Sequence, residues 1–183
     1  LELLPPPGKP EDTGSRALHR SNLLDNDYAT GLHYNGEGVN TLVRDDGPIG
    51  PHVDFKGRLD NLGISASPGD INHADWVGSC VGGAGNIDPT AKGMAAGALI
   101  YAINYLPSFQ DSTLPLHFSK TITLTNTSYS NGCNDGYTLA SQTVDQQLFD
   151  NPALLHVFSA GNSNGNNCNY GAGNQWGNIT GGH

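Results

Sequence analysis

Asp45, Asp46, His73 and Asn162 are the side chains of this sequence whose types point to chemistry. A carboxylate beside an imidazole fixes the ring tautomer and stabilises its protonated form, which makes the ring a general base for a nucleophile. A carboxamide can donate to a developing oxyanion. Asp45-Asp46-Gly47, Ser128-Tyr129-Ser130-Asn131 and Ser159-Ala160-Gly161-Asn162 each follow an apolar stretch, and His73 stands where a helical pattern begins. Ligands of an open parallel sheet bind beyond the carboxyl ends of its strands, so these clusters come first. Each residue also has a plain structural reading. Asp45 would open an Asp-Asp-Gly turn, His73 would sit in a helix cap, and Asn162 would take a left-handed conformation at a strand end.

The elements that must position these residues are legible from pattern. Val39 to Arg44 reads as a buried strand stopped by Asp45-Asp46-Gly47-Pro48, and a loop runs on to about Asp70. Asn72 to Gly83 reads as a helix with Asn72 as N-cap and an apolar stripe of Trp76, Val77, Cys80 and Val81, in which Cys80 is expected to be a buried small hydrophobe. After a break at Gly93 to Gly97, Ala98 to Ile103 reads as a fully covered strand, and Ile122 to Thr127 as another. Thr138 caps a run with Ala140, Val144 and Leu148 every four residues, halted at Asn151-Pro152, and Leu154 to Ala160 is the next strand. Strands alternate with helices, and the strands are apolar throughout. The expected fold is α/β, a parallel sheet sandwiched in three layers with helices on both faces. Residues 1–35, rich in Pro, Gly, Asp and Asn, read as an extended arm lying on a body formed by residues 36–183.

Composition narrows the classes of function. The 183 residues suit one domain, and 25 Gly with 11 Pro argue for a loop-rich globular protein. Seventeen acidic against eight basic residues leave a net charge of -9, which repels a phosphate backbone, so no nucleic-acid partner is expected. No apolar run approaches the roughly 20 residues that span a bilayer, so no membrane partner is expected either. A nucleotide-binding domain lacks support, since no Gly-x-Gly-x-x-Gly opens a helix. Cys80, Cys133 and Cys168 form no Cys-x-x-Cys pair, and one disulfide plus one free thiol is the natural count.

Taken in order, Val43-Arg44-Asp45-Asp46-Gly47, Asn72-His73-Ala74-Asp75-Trp76-Val77-Gly78, Gly93-Met94-Ala95-Ala96-Gly97-Ala98, Asn126-Thr127-Ser128-Tyr129-Ser130 and Ser159-Ala160-Gly161-Asn162 resemble the subtilisin-like serine peptidases of family S8, with a Gly-rich ending most similar to those of the Bacteroidetes kind. The resemblance spans roughly residues 36–183 and implies the amino-terminal part of their catalytic domain. Position by position it makes Asp45 the triad carboxylate, with Asp46 as the competing candidate, His73 the general base, and Asn162 the oxyanion donor after Gly161. Ser128, Tyr129 and Ser130 become the strand edge that pairs with a peptide substrate. His73-Ala74-Asp75-Trp76 departs from the family's His-Gly-Thr-His by placing an indole where a second His is usual.

The family's Gly-Thr-Ser nucleophile motif has no counterpart here, so the resemblance implies that the hydroxyl comes from a carboxyl-terminal segment or second chain of the same peptidase, as after a nick following His183, which is favoured over the alternative of a shortened, inactive chain. It implies a serine endopeptidase acting through an acyl-enzyme, inactive as this chain alone, on peptide or protein substrates. Secretion, or a periplasmic or cell-surface location, goes with it. The chemistry requires no cofactor. Calcium would be structural, although no Asp-x-Asp-x-Asp loop appears and no metal ligands are assigned. Cys133 and Cys168 follow neighbouring strands on one rim, and a disulfide between them is expected. The rival reading is a non-catalytic peptide-binding module that keeps the groove, with Trp76 as its best support.

Overall fold

The computed structural model describes residues 16–26, 31–66, 69, 71–104, 110–129 and 137–159, with backbone alone at 110 and 111. The elements in chain order are α1 (Ser21–Leu24), β1 (Asn40–Asp45), a 3-10 turn (Val53–Phe55), β2 (Leu59–Asp60), α2 (His73–Gly82), a second 3-10 turn (Pro89–Ala91), β3 (Leu99–Asn104), α3 (Gln110–Lys120), β4 (Leu124–Thr127), α4 (Leu139–Asp150) and β5 (Leu155–Phe158). The five strands form one sheet in the order β2-β3-β1-β4-β5, with every neighbouring pair parallel.

β1 is central, and its residues alternate between two covered faces. Val43 joins Ile49, Phe55, Ala74, Ile100 and Ala102 in a core beneath α2. Leu42 joins Tyr101, Ile103 and Ile122 on the opposite face, where Leu116 of α3 packs. α4 lies on that second face too, because Gln147 reaches His156 of β5 there. A strand covered on both faces is selected by apolar residues at successive positions, which explains the unbroken run Leu42-Val43 and the run Ile100-Tyr101-Ala102-Ile103. The class expected from pattern, a parallel α/β sheet with helices, is the one observed. Each fully buried Leu or Ile contributes about 1.5–3 kcal/mol of transfer free energy to this core.

Both helix starts expected from sequence carry capping boxes. Asn72 accepts from Asp75 N while the Asp75 side chain accepts from Asn72 N, and Thr138 pairs with Ser141 in the same way. The strands fall within two residues of their expected bounds.

Several expectations are corrected. The supposed loop from Asp45 to Asp70 contains a 3-10 turn and β2, and the sequence pattern showed no sign of α3, which carries Pro115 inside it. The stripe on α2 is turned from the expected one. Ala74, Gly78 and Gly82 are its buried positions, Val77 and Val81 flank the core, and Trp76 and Cys80 are exposed, so Cys80 is not a buried hydrophobe. The glycines explain this. A Cβ on Gly78 would lie 2.6 Å from Ile49 Cδ1 and one on Gly82 2.8 Å from Ile100 Cδ1, so the helix packs on Ile49 and the sheet by a face of small residues. β5 is also not covered throughout, since Leu155 and Val157 are 56% and 45% exposed.

The described part of the amino-terminal stretch is tied to the body by charge. The Asp25 carboxylate meets Arg16 Nη2 at 2.8 Å and Lys92 Nζ at 2.5 Å, and Arg16 Nη1 donates to Gly93 O.

Candidate active site

β1 delivers Asp45 to the carboxyl end of the sheet, beside Asn104 of β3 in register, with Thr127 of β4 and Phe158 of β5 one rung below. The chain winds first to one side of β1 and then to the other, so this strand end lies where the winding reverses, the usual place for a ligand in such sheets. α2 starts above the same rim, and its first residue is His73.

The two side chains meet. His73 Nδ1–H donates to Asp45 Oδ1 at 2.7 Å, and Asp46 N donates to the same oxygen at 2.8 Å. Asp45 is wholly buried, whereas the His73 side chain is 50% exposed. With Nδ1 protonated and held, Nε2 keeps its lone pair and is free to take a proton. Asp45 Oδ2 is buried without a hydrogen-bond partner among the described residues.

Asp46 does a different job. Its carboxylate faces away from the imidazole contact and accepts from the backbone at His73 N (3.1 Å) and Ala74 N (3.0 Å). Of the two adjacent acids left open by the sequence, Asp45 is the one that binds the ring.

The turn after Asp46 is clipped from three sides. Asn61 exchanges hydrogen bonds with Ile49 N and O, Asn72 Nδ2 donates to Pro48 O at 2.9 Å, and Gly50 N donates to Asp75 Oδ1 at 2.5 Å. A Cβ on Gly47 would lie 2.7 Å from Asn72 Nδ2, so the third residue of Asp-Asp-Gly is glycine because the helix cap approaches it closely.

His73 lines a cavity of about 530 Å³ that also contains Trp76, Cys80, Met94, Asn126 and Ser128. Trp76 is 63% exposed there. Asn126 Nδ2 donates to Ser128 Oγ at 2.9 Å, which sets the hydroxyl at the end of β4. A second cavity of about 430 Å³, lined by His52, Phe55, Ile71 and Ser79, does not include the dyad.

Tyr129 is held near both charges of β1. Burial raises its phenol above the usual value, the hydrogen-bonded Arg44 guanidinium pulls it down, and the Asp45 carboxylate raises it again, with a net upward shift. Arg44 itself is fully buried, donates to Ser112 Oγ (2.8 Å) and Thr113 Oγ1 (3.1 Å), and has its pKa lowered by desolvation. Sequence reasoning missed Arg44, and its only signal was a cation beside Leu42-Val43 in a stretch that reads as a buried strand.

Asp45, His73, Ser128 and Tyr129 are thus gathered at one rim. Ser130, Gly161, Asn162, Cys133 and Cys168 lie outside the described residues, and with them the expected oxyanion donor and disulfide. Among the described residues no group of three or more His, Cys, Asp or Glu could hold a metal ion, and no helix is long and apolar enough to cross a membrane. Fold and site together define a parallel α/β protein with a carboxylate–imidazole dyad at the reversal point of its sheet. No protein-family model matches the chain, and no curated protein matches it at a significant level.

Proposed function

We propose that this chain is the amino-terminal part of a subtilisin-like serine endopeptidase domain. The observation that carries the reading is the 2.7 Å bond from His73 Nδ1 to a wholly buried Asp45 at the end of the central strand. In the reaction, a Ser hydroxyl from a carboxyl-terminal segment or companion chain attacks the peptide carbonyl as its proton passes to His73 Nε2. Asp45 remains ionised and stabilises the imidazolium. Asn162 and backbone N–H groups hold the oxyanion. His73 then gives its proton to the leaving amine, and water repeats the sequence on the acyl-enzyme.

The surface around the ring supports this reading. Leu124, Leu155 and Val157 share one sheet face by register; among the described residues Leu155 and Val157 are exposed, and Leu124 lines the same cavity as His73 and the exposed Trp76. A further element bearing the hydroxyl could cover this apolar surface and reach Nε2. A secreted or cell-surface location accompanies the proposal, and the chemistry calls for no cofactor.

A second reading, a peptide-binding module without catalysis, is favoured by one observation, the exposed Trp76 indole in the same cavity as His73 and Ser128. A serine-directed fluorophosphonate separates the two. Labelling of a companion polypeptide, together with peptide cleavage lost in His73→Ala, is expected for the peptidase. Binding of extended peptides with no cleavage by the reconstituted pair would overturn it.

A further inference from the structure

The first turn of a helix leaves backbone N–H groups without intrahelical acceptors, and α2 begins at the residue whose ring must meet Asp45. Its first three amides are all satisfied. Asp75 N donates to Asn72 Oδ1 at 3.3 Å within the capping box. The two before it reach outside the helix, His73 N to Asp46 Oδ2 and Ala74 N to Asp46 Oδ1. One carboxylate therefore grips two successive amides with its two oxygens, and it belongs to the residue next to the dyad carboxylate.

We propose that Asp46 is a positioning residue that registers the start of α2 against the end of β1, so that the His73 ring meets Asp45. The imidazole–carboxylate bond is then one half of a double clamp. Asp45 holds the His73 side chain while Asp46 holds the His73 and Ala74 backbone. A carboxylate suits the task, because two N–H donors need two acceptor oxygens and negative charge is favoured at a helix amino terminus. Asn would turn an NH2 group toward one of the amides, and Ser would offer a single oxygen. The other ties at this helix start, from Asn72 to Pro48 and from Gly50 to Asp75, fix the loop but touch neither His73 nor Asp45. The catalytic consequence rests on the peptidase reading, while the clamp itself does not.

NMR on the whole chain tests the clamp without reference to turnover. In Asp46→Asn, amide exchange at His73 and Ala74 is expected to be about five- to tenfold faster. The downfield Nδ1 proton of His73 should be lost to solvent exchange. Thr138→Ala removes the cap of the remote α4 and should leave both signals unchanged, which separates positioning from general loss of stability. An Asp46→Asn chain that keeps the Nδ1 proton and both amides protected overturns the proposal. If that variant does not fold, through-bond couplings from the Asp46 carboxyl carbon to the His73 and Ala74 amide nitrogens decide it in the unsubstituted chain, where their absence refutes the clamp. In the serine-complemented enzyme, kcat should fall about tenfold with KM within about twofold. Complete absence of cleavage by the unsubstituted pair would sink the peptidase reading and leave the NMR result standing by itself.

Discussion

Asp45 and His73 are joined by one short hydrogen bond across 28 residues of sequence, from a strand end with no solvent exposure to a ring that is half exposed. Burial on the carboxylate side and access on the imidazole side suit a base that must be oriented from within and must reach a substrate from without.

Replacing Asp45 by Asn removes the negative charge beside Nδ1–H and replaces one carboxylate oxygen by an NH2 donor, which selects the wrong tautomer when it faces the ring. In the complemented peptidase kcat should fall by about 10⁴. Steady-state kinetics check this, together with loss of the downfield Nδ1 proton.

Gly93 faces the end of α2 so closely that a Cβ there would lie 2.4 Å from Ser79 O and 2.7 Å from Gly83 N. These are backbone atoms that cannot rotate aside. Gly93→Ala should therefore destabilise the chain by about 3 kcal/mol or more, read as a lower urea midpoint. An unchanged midpoint would contradict the packing of the 93–95 segment on α2.

His156 is buried between Thr125 and Gln147. Thr125 O–H donates to Nδ1 at 2.7 Å, and Nε2–H donates to Gln147 Oε1 at 3.2 Å. Burial, then the charges of Arg44 and His117, lower its pKa from 6.5 to about 4. Because the folded value is depressed, the neutral ring's contribution is whole above pH 6.5. It is lost as pH falls toward 4, where the unfolded chain takes up a proton that the folded chain refuses. This group should tilt stability by up to about 1.4 kcal/mol per pH unit in that window. Denaturant titrations between pH 7 and 4 should show the slope, and His156→Asn should flatten it.

Asp25 holds Arg16 and Lys92 at one point, and the net effect of these two cations is to lower its pKa against the opposing effect of burial. Asp25→Asn should release the 16–25 segment from the Lys92–Gly93 region. Hydrogen exchange across residues 16–25 should rise several-fold while that of β1 and β3 stays unchanged. Equal exchange in both chains would show that the charges do not hold the segment.

Local pattern carried much of the fold. The strands β1, β3 and β4 and the caps at Asn72 and Thr138 were legible because an apolar run and a capping side chain act through neighbours in sequence. α3 was not, because Gln110–Lys120 has no apolar stripe and contains Pro115, so its helix is held by packing Leu116 against Leu42, Tyr101 and Ile122. The orientation of α2 was missed for a related reason. A hydrophobic stripe names Trp76 and Cys80, but Gly78 and Gly82 let the helix approach Ile49 and Ile100 more closely than any side chain would allow.

The sequence by itself determined the layered parallel class and nominated Asp45, Asp46 and His73, since residue type, order and strand-end position are local properties. Only the tertiary structure decided between the two acids. They are adjacent and chemically alike, and their roles separate when α2 is laid across β1, with the Asp45 carboxylate on the ring and the Asp46 carboxylate on the backbone of the same histidine. That choice depends on side-chain direction at one turn, which residue type alone does not contain.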